Sequence, residues 1–225
     1  MEPSTAVSLF VVSSYIMKCL KFLAALLFFG LCSCGQNAGK QKADATAVQL
    51  NNQALTLVAF IDNADSSRKA ISLLNKATTI DSNYLLGHYN KLMFYNQLKR
   101  FDQAVLTVNK LLQLRPTAHD LYLTGAVLYE RLGDTVSSKP YFEKSLAICN
   151  NVLDTMSTKN RDYEMLVGNK AINLIMLGDQ AEANELLKKL YDSQTDEELN
   201  KGRTFLINKN KKQLLELWTS NQYSH

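Results

Sequence analysis

Proline is scarce in this chain, three residues in 225, and glycine is modest at nine. So few breakers argue against the turn-dense architecture of a β-sandwich or barrel and favour helices. Charge of one sign is also lacking, since 25 basic side chains against 21 acidic ones leave a net +4. That balance supplies no concentrated basic face, so no nucleic-acid partner is expected. Long apolar runs are missing too. The stretch Phe22 to Leu31 is unbroken for ten residues, about half of the ~20 that a bilayer-spanning helix needs. Cysteine is confined: Cys19, Cys32 and Cys34 lie in or beside that run, and Cys149 stands alone in the body of the chain. Loss of the leader would strip two of the four, which argues against a disulfide framework.

The short run has the layout of an export signal. Met17-Lys18-Cys19-Leu20-Lys21 is a basic start, Phe22 to Leu31 the apolar core, and Leu31-Cys32-Ser33-Cys34-Gly35 the end. The last five residues resemble the bacterial lipobox, with a large aliphatic three before the modified cysteine and a small residue just before it. The resemblance implies a signal peptide over 1–33, cleavage before Cys34 and a lipid on Cys34. Residues 1–16 precede the basic start without any positive charge, so Met17 is the simpler start of translation. The segment GQNAGKQKADATA that follows is small and polar, a flexible tether over 34–46. No Asp follows Cys34 directly. By resemblance to the enterobacterial sorting rule, this points to the outer membrane facing the periplasm of a bacterial cell envelope.

Chemistry-bearing motifs are absent. There is no glycine-rich phosphate loop, no His-Glu-x-x-His pair and no Cys-x-x-Cys after Cys34. His88 is expected as a polar core residue. His119 is expected beside Asp120, with no third ligand for a metal. Cys149 has no histidine partner and reads as a small buried apolar group. Asp62 and Asp65 lack the two-residue spacing, glycine and closing glutamate of a calcium loop, and read as a polar turn. No catalytic residue, cofactor or metal is expected. The triplets Asp134-Thr135-Val136 and Asp154-Thr155-Met156 resemble a bacterial O-glycosylation motif too short to weigh.

What the chain does have is a repeat. Ala70, Ala104 and Ser138 are each 34 apart; so are Leu74, Val108 and Phe142, and Ala77, Leu111 and Ser145. Tyr95 and Tyr129 keep the same stride, as do Leu98 and Leu132. The turn Leu98 to Ala104 aligns with Leu132 to Ser138, and again with Leu177 to Ala183. Two helices of about 12 residues, a turn and a linker fill such a period. The small residues belong where paired helices cross, and the large ones in the seam with the next pair. Gly133 and Gly178 suit a helix C-terminus, where a left-handed backbone is needed. Pro116 and Ser82 fall just after second helices.

This pattern resembles the tetratricopeptide repeat family. The closest stretch is SSKPYFEKSLAICN, preceded by LYLTGAVLYERLGD; KAISLLNKATTIDSN and LKRFDQAVLTVNKLLQLRP follow. Departures are Lys91-Leu92 where the family has Leu-Gly, and His88 where it has Trp. The resemblance implies an all-α fold, a right-handed superhelix of four to five helical hairpins over 47–191. The units would run from Ala47 to Ser82, to Pro116, to about Lys159, and from Asp162 to Tyr191. An extra 11 residues at about 150–163 would lengthen a helix or add a loop. Capping helices are expected over 192–225. One starts at the capping box Thr195 to Glu198, and the last carries Leu214, Leu215, Leu217 and Trp218. Lys201, Arg203, Lys209, Lys211 and Lys212 would form the solvated end face.

In such a stack the first helices line the concave side. The register then places Asn52 and Leu55, then Tyr89, Asn90, Met93, Asn96 and Gln97, on that face. Leu123, Val127, Glu130 and Arg131 follow, and then Asn169, Ile172 and Met176. Amides with Tyr and Met suit a peptide backbone and its apolar side chains. The family's carboxylate clamp is not expected, because Leu55, Ala59, Asp120 and Thr124 hold its places and only Asn90 matches. The expected function is a lipid-anchored, non-catalytic scaffold docking a protein or peptide. The alternative is a cell-wall or polysaccharide glycan binder that uses Tyr89, the asparagines and Gln97.

Overall fold

The computed structural model describes residues 43–192 and 206–219. Cys34, most of the expected tether, the Thr195 capping box, Lys201 and Arg203 lie outside the described residues. Within them the chain is helical from end to end, without a strand. The helices are α1 Ala45–Leu55, α2 Ala64–Ile80, α3 Leu85–Gln97, α4 Phe101–Leu114 and α5 His119–Arg131. They continue as α6 Thr135–Leu153, α7 Tyr163–Leu177, α8 Gln180–Asp192 and α9 Lys211–Thr219. Each helix from α1 to α8 packs on the next, so that α1/α2, α3/α4, α5/α6 and α7/α8 form four hairpins. First helices also meet across the seams, α1 with α3 and α5 with α7. No described helix is long and apolar enough to cross a membrane.

Local chemistry sets the breaks. The Asp44 carboxylate caps α1 by accepting from the N–H groups of Thr46 and Ala47 at 2.8 and 3.1 Å. Asn63 does the same for α2, and Asp134 for α6. The three turns inside hairpins two, three and four share one geometry. The N–H groups of Arg100, Asp134 and Asp179 reach back to the carbonyls of Tyr95, Tyr129 and Leu174 at 2.8–2.9 Å. This six-residue closure needs a left-handed residue. Gly133 and Gly178 supply it with φ of 77° and 104°, and Lys99 takes the same conformation at 55°. The first hairpin turns instead through a short 3-10 segment, Thr56–Phe60. There Asp62 lies in the turn, while Asp65 sits in the first turn of α2 and pairs with Arg68 at 2.6 Å.

The repeat spacing marks the packing. Ala70, Ala104, Ser138 and Ala183 are all essentially buried at helix crossings, and Leu74, Val108 and Phe142 fill the seams at 0–1% exposure. At Gly125 of α5, a Cβ would come within 2.7 Å of the Tyr141 ring of α6. That ring stands edge-on to Tyr122 and Tyr129, and its hydroxyl donates to Asn109 Oδ1 at 2.6 Å. The extra residues of the third unit fall in two places. They lengthen α6 to 19 residues, and residues 154–162 then form the connection to α7.

The apolar core falls into two main clusters that meet at one helix. Leu121 and Leu128 of α5 belong to the cluster of the first two hairpins. Leu123, Ala126 and Val127 of the same helix belong to that of the last two, together with Leu214 and Trp218 of α9. Helix α5 is therefore the splice between the halves.

Candidate functional site

The first helices α1, α3, α5 and α7 carry every residue expected on the partner face. Their exposure is graded along the stack. Asn52 and Leu55, at the α1 end, are open to solvent. Tyr89, Asn90, Met93, Asn96, Gln97, Arg131, Asn169 and Ile172 are half-buried. Leu123 has no exposure, and Val127, Glu130 and Met176 are buried as well. Leu123 and Val127 turn into the second core cluster, where an incoming partner does not reach them as the chain stands.

Many of the polar members spend their hydrogen bonds on one another, across the seams. Asn90 Nδ2 donates to Asn51 Oδ1 at 2.7 Å, from the second hairpin to the first. Gln97 Nε2 donates to Asp62 Oδ1 at 3.3 Å. Arg131 donates to Asn96 Oδ1, and its guanidinium stacks 4.4 Å from the centre of the Phe101 ring. Within the second hairpin, Arg115 donates to the Tyr89 hydroxyl at 3.0 Å. Asn169 Nδ2 lies 3.4 Å from His119 Nδ1. Deeper in, Asn173 donates to Ser145 Oγ at 2.9 Å, and Ser145 to the His119 carbonyl at 2.9 Å. Those that join different hairpins fix their stacking. A buried polar group left alone is costly, so each pair specifies the register of its neighbours.

Sequence periodicity missed Asn51, Arg115 and Asn173, and placed Ser145 only as a small repeat position, because a period identifies a face and not the residue opposite it. It also missed what lies on α5. Helix α9 rests there, with Lys211 Nζ 3.1 Å from Glu130 Oε1 and the Trp218 carbonyl accepting from Arg131. Lys211 is thus part of an ion pair rather than simply solvated. The available signal was the chain's one tryptophan, placed at helical spacing from Leu214 and Lys211.

Burial controls the titration of the interior groups. It pushes the Tyr89 hydroxyl up to about 12, with Asp120 adding to the effect and Arg115 opposing it. It likewise pushes the Cys149 thiol up to about 12, and that side chain is wholly buried and free. A thiol so held is a poor nucleophile. Burial lowers His88, although its Nε2 sits 3.0 Å from the Ser82 carbonyl and Asp81 also favours the cation; Lys91 and Lys110 lower it further. Burial lowers His119 as well, against the pull of Asp120 and with the help of Arg115.

A pH dependence follows from the two histidines. Their folded pKa values lie below the ordinary 6.5, so the unfolded chain binds more protons than the folded one in that window. Their contribution is complete above 6.5 and is lost as pH falls through 6.5 toward the folded values. The urea midpoint is expected to hold between about pH 8 and 7 and to decline below about 6.5, and His119→Gln should flatten part of that decline. An unchanged slope in the variant would remove His119 from this account.

No group of three His, Cys, Asp or Glu side chains able to hold a metal occurs among the described residues. A shallow cavity of about 690 Å³ lies between α1, α2 and the start of α4, lined by residues that include Leu50, Ile71, Asn75, Lys76 and Arg100. None of the residues expected on the partner face lines it.

A family model for the tetratricopeptide repeat matches residues 87–117, which is the second hairpin. No protein of curated function matches the chain. Among solved structures, a thermophilic TPR protein in Thermus thermophilus superposes with a TM-score of 0.50 at 16% identity, covering 87% of this chain and 94% of that one. PilW, a widely conserved type IV pilus biogenesis factor, gives a TM-score of 0.49 at 19% identity over 78% and 76% of the two chains. A tetratricopeptide repeat protein from Parabacteroides merdae ATCC 43184 gives 0.40 at 15% identity over 94% and 95%. The chain contains a tetratricopeptide repeat at 87–117, set in an all-α stack of hairpins of the tetratricopeptide type.

Proposed function

We propose that this chain is a non-catalytic docking scaffold of the bacterial cell envelope, held to the membrane by a lipid on Cys34, with the first-helix face taking a protein partner. One observation carries the docking part. The face is a row of half-buried amide, Tyr and Met side chains, its amides held by hydrogen bonds across hairpins and Tyr89 by Arg115 of its own hairpin. Groups fixed before binding lose little freedom when a ligand arrives, which is the condition for specific affinity on a modest area. The anchor rests on Leu31-Cys32-Ser33-Cys34, and the outer-membrane placement on the residues after Cys34. The non-catalytic reading is supported by the buried Cys149 thiol, which is pushed up to about 12 and is a poor nucleophile.

The test joins the two parts. The wild-type chain is expected to need detergent for extraction and to incorporate labelled palmitate, and Cys34→Ser to be soluble and unlabelled. The soluble form should recover a stoichiometric protein partner. Leu55→Glu and Asn52→Arg, both at exposed positions, should weaken that recovery at least about tenfold without moving the melting temperature. Labelling that persists in Cys34→Ser overturns the anchor. Recovery that ignores both face substitutions overturns the docking face.

A further inference from the structure

Helix α9 is nine residues long. A helix of that length does not persist alone in water, because nucleation costs more than so few bonds return. Its start is fixed locally by a reciprocal cap, Gln213 N–H to Asn210 Oδ1 at 2.9 Å and Asn210 N–H to Gln213 Oε1 at 3.0 Å. The rest of its order comes from the surface beneath it. Lys211, Leu214 and Trp218 stand at i, i+3 and i+7 on one side. Leu214 is fully buried and Trp218 is 9% exposed, in the cluster that holds Leu123, Ala126 and Val127 of α5. On the other side, Lys212, Gln213 and Glu216 face solvent.

The polar contacts at this seat are those of a helix being recognised. Glu130, whose side chain is 2% exposed, takes the Lys211 ammonium at 3.1 Å. Its same oxygen accepts from Ser138 Oγ at 2.6 Å. Arg131 donates to the carbonyl of Trp218 in the last turn, where helix carbonyls lack partners and a cation suits the dipole. The place of the seat matters as well. A helix serving only to cover the end of the stack would lie chiefly on the final hairpin, α7/α8. Helix α9 makes its main backbone approach to α5, one hairpin earlier, among the residues of the partner face, while Leu214 and Trp218 share their apolar cluster with α7 and α8 as well.

We propose that α9 is an internal ligand. It fills a helix-binding seat on α5, and the partner of this face is itself an amphipathic helix with a cation, a leucine and a large aromatic at i, i+3 and i+7 that displaces α9. This rests on the docking function above and specifies its ligand. Apolar anchors at i, i+3, i+4 or i+7 laid into a groove are a general mode of helix recognition, and here the chain shows its own version of the bound state.

The probe is a dye-labelled synthetic peptide with the sequence of residues 208–222, so no partner need be known. It is titrated by anisotropy against the full chain and against a full-chain Leu214→Ser, Trp218→Ser variant, in which α9 cannot hold the seat. The double variant should bind the peptide at least about tenfold more tightly than the wild type, whose seat is taken. Adding Glu130→Gln to it should weaken binding by at least about tenfold, and a scrambled peptide should not bind. Equal binding to wild type and double variant, or none to either, overturns the proposal. So does a double variant that no longer melts cooperatively, since a displaceable helix is not needed for the fold. A second measurement uses the chain's single tryptophan as a reporter of α9 alone. Lys211→Glu should red-shift Trp218 emission by setting two carboxylates against each other, and unchanged emission counts against the seat. Peptide binding together with a failed partner recovery would sink the docking function and leave the seat standing; the reverse outcome would sink only the internal ligand.

Discussion

Phe142→Ala is expected to cost about 3–5 kcal/mol, and to cost it in one half of the molecule. Phe142 is 1% exposed and is the largest fully buried side chain of the second core cluster. Truncation removes the transfer energy of the ring and leaves a cavity that helices α6, α7 and α5 close only in part. In a stack of hairpins, each unit is stabilised by itself and by its neighbours alone. The loss should therefore fall on hairpins three and four and on α9. The first cluster, built on Ala70, Leu74, Phe94, Val108 and Leu111, keeps its contacts. Amide exchange in the variant should accelerate across α6, α7 and α8 while α2 and α4 retain protection, and the urea transition should broaden or split. Equal loss of protection along the whole chain would show that α5 couples the halves into one cooperative block.

The hairpins were legible in the sequence because stacking imposes a period on small and large residues. Ala70, Ala104 and Ser138 are small since two backbones cross over them, and Leu74, Val108 and Phe142 are large since a seam must be filled. Each set shows in the sequence as a constant stride of 34 and in the structure as near-zero exposure. The turns were legible only in part. Gly133 and Gly178 announce a left-handed residue, but Lys99 adopts the same conformation without any sign in its side chain. Its turn is set by the bond from Arg100 N–H to the Tyr95 carbonyl.

The face was legible as a face and not as a set of contacts. A helical register says that Asn90, Asn96 and Gln97 point to one side. It cannot say that Asn51, Arg131 and Asp62 arrive from the adjoining units to meet them. The seat of α9 was hidden for a related reason. Amphipathic spacing in residues 211–219 predicts a helix with one apolar side. The surface that side chooses depends on tertiary geometry: α5 offers a buried carboxylate and a guanidinium at the right separation, and no local pattern encodes that pairing.

Arg131→Ala should expose how much hangs on one side chain. Its guanidinium donates to Asn96 of the second hairpin and to the Trp218 carbonyl of α9, and it stacks on Phe101 at the start of α4. It thus joins two hairpins and the C-terminal helix through one planar group. Hydrogen bonds to a charged donor contribute about 1.5–3 kcal/mol each, and the half-exposed setting reduces the sum, so a loss of about 2–4 kcal/mol is expected. Urea denaturation should show that loss, and Trp218 emission should shift to the red as α9 loses the cap on its last turn. Arg131→Lys separates geometry from charge. An ammonium keeps the charge but cannot donate along two fixed directions while lying flat on a ring. It should recover less than half of the stability and leave the emission displaced. Full recovery by lysine would mean that a positive charge is all this position supplies, and that the fork reaching from Asn96 to Trp218 adds nothing to it.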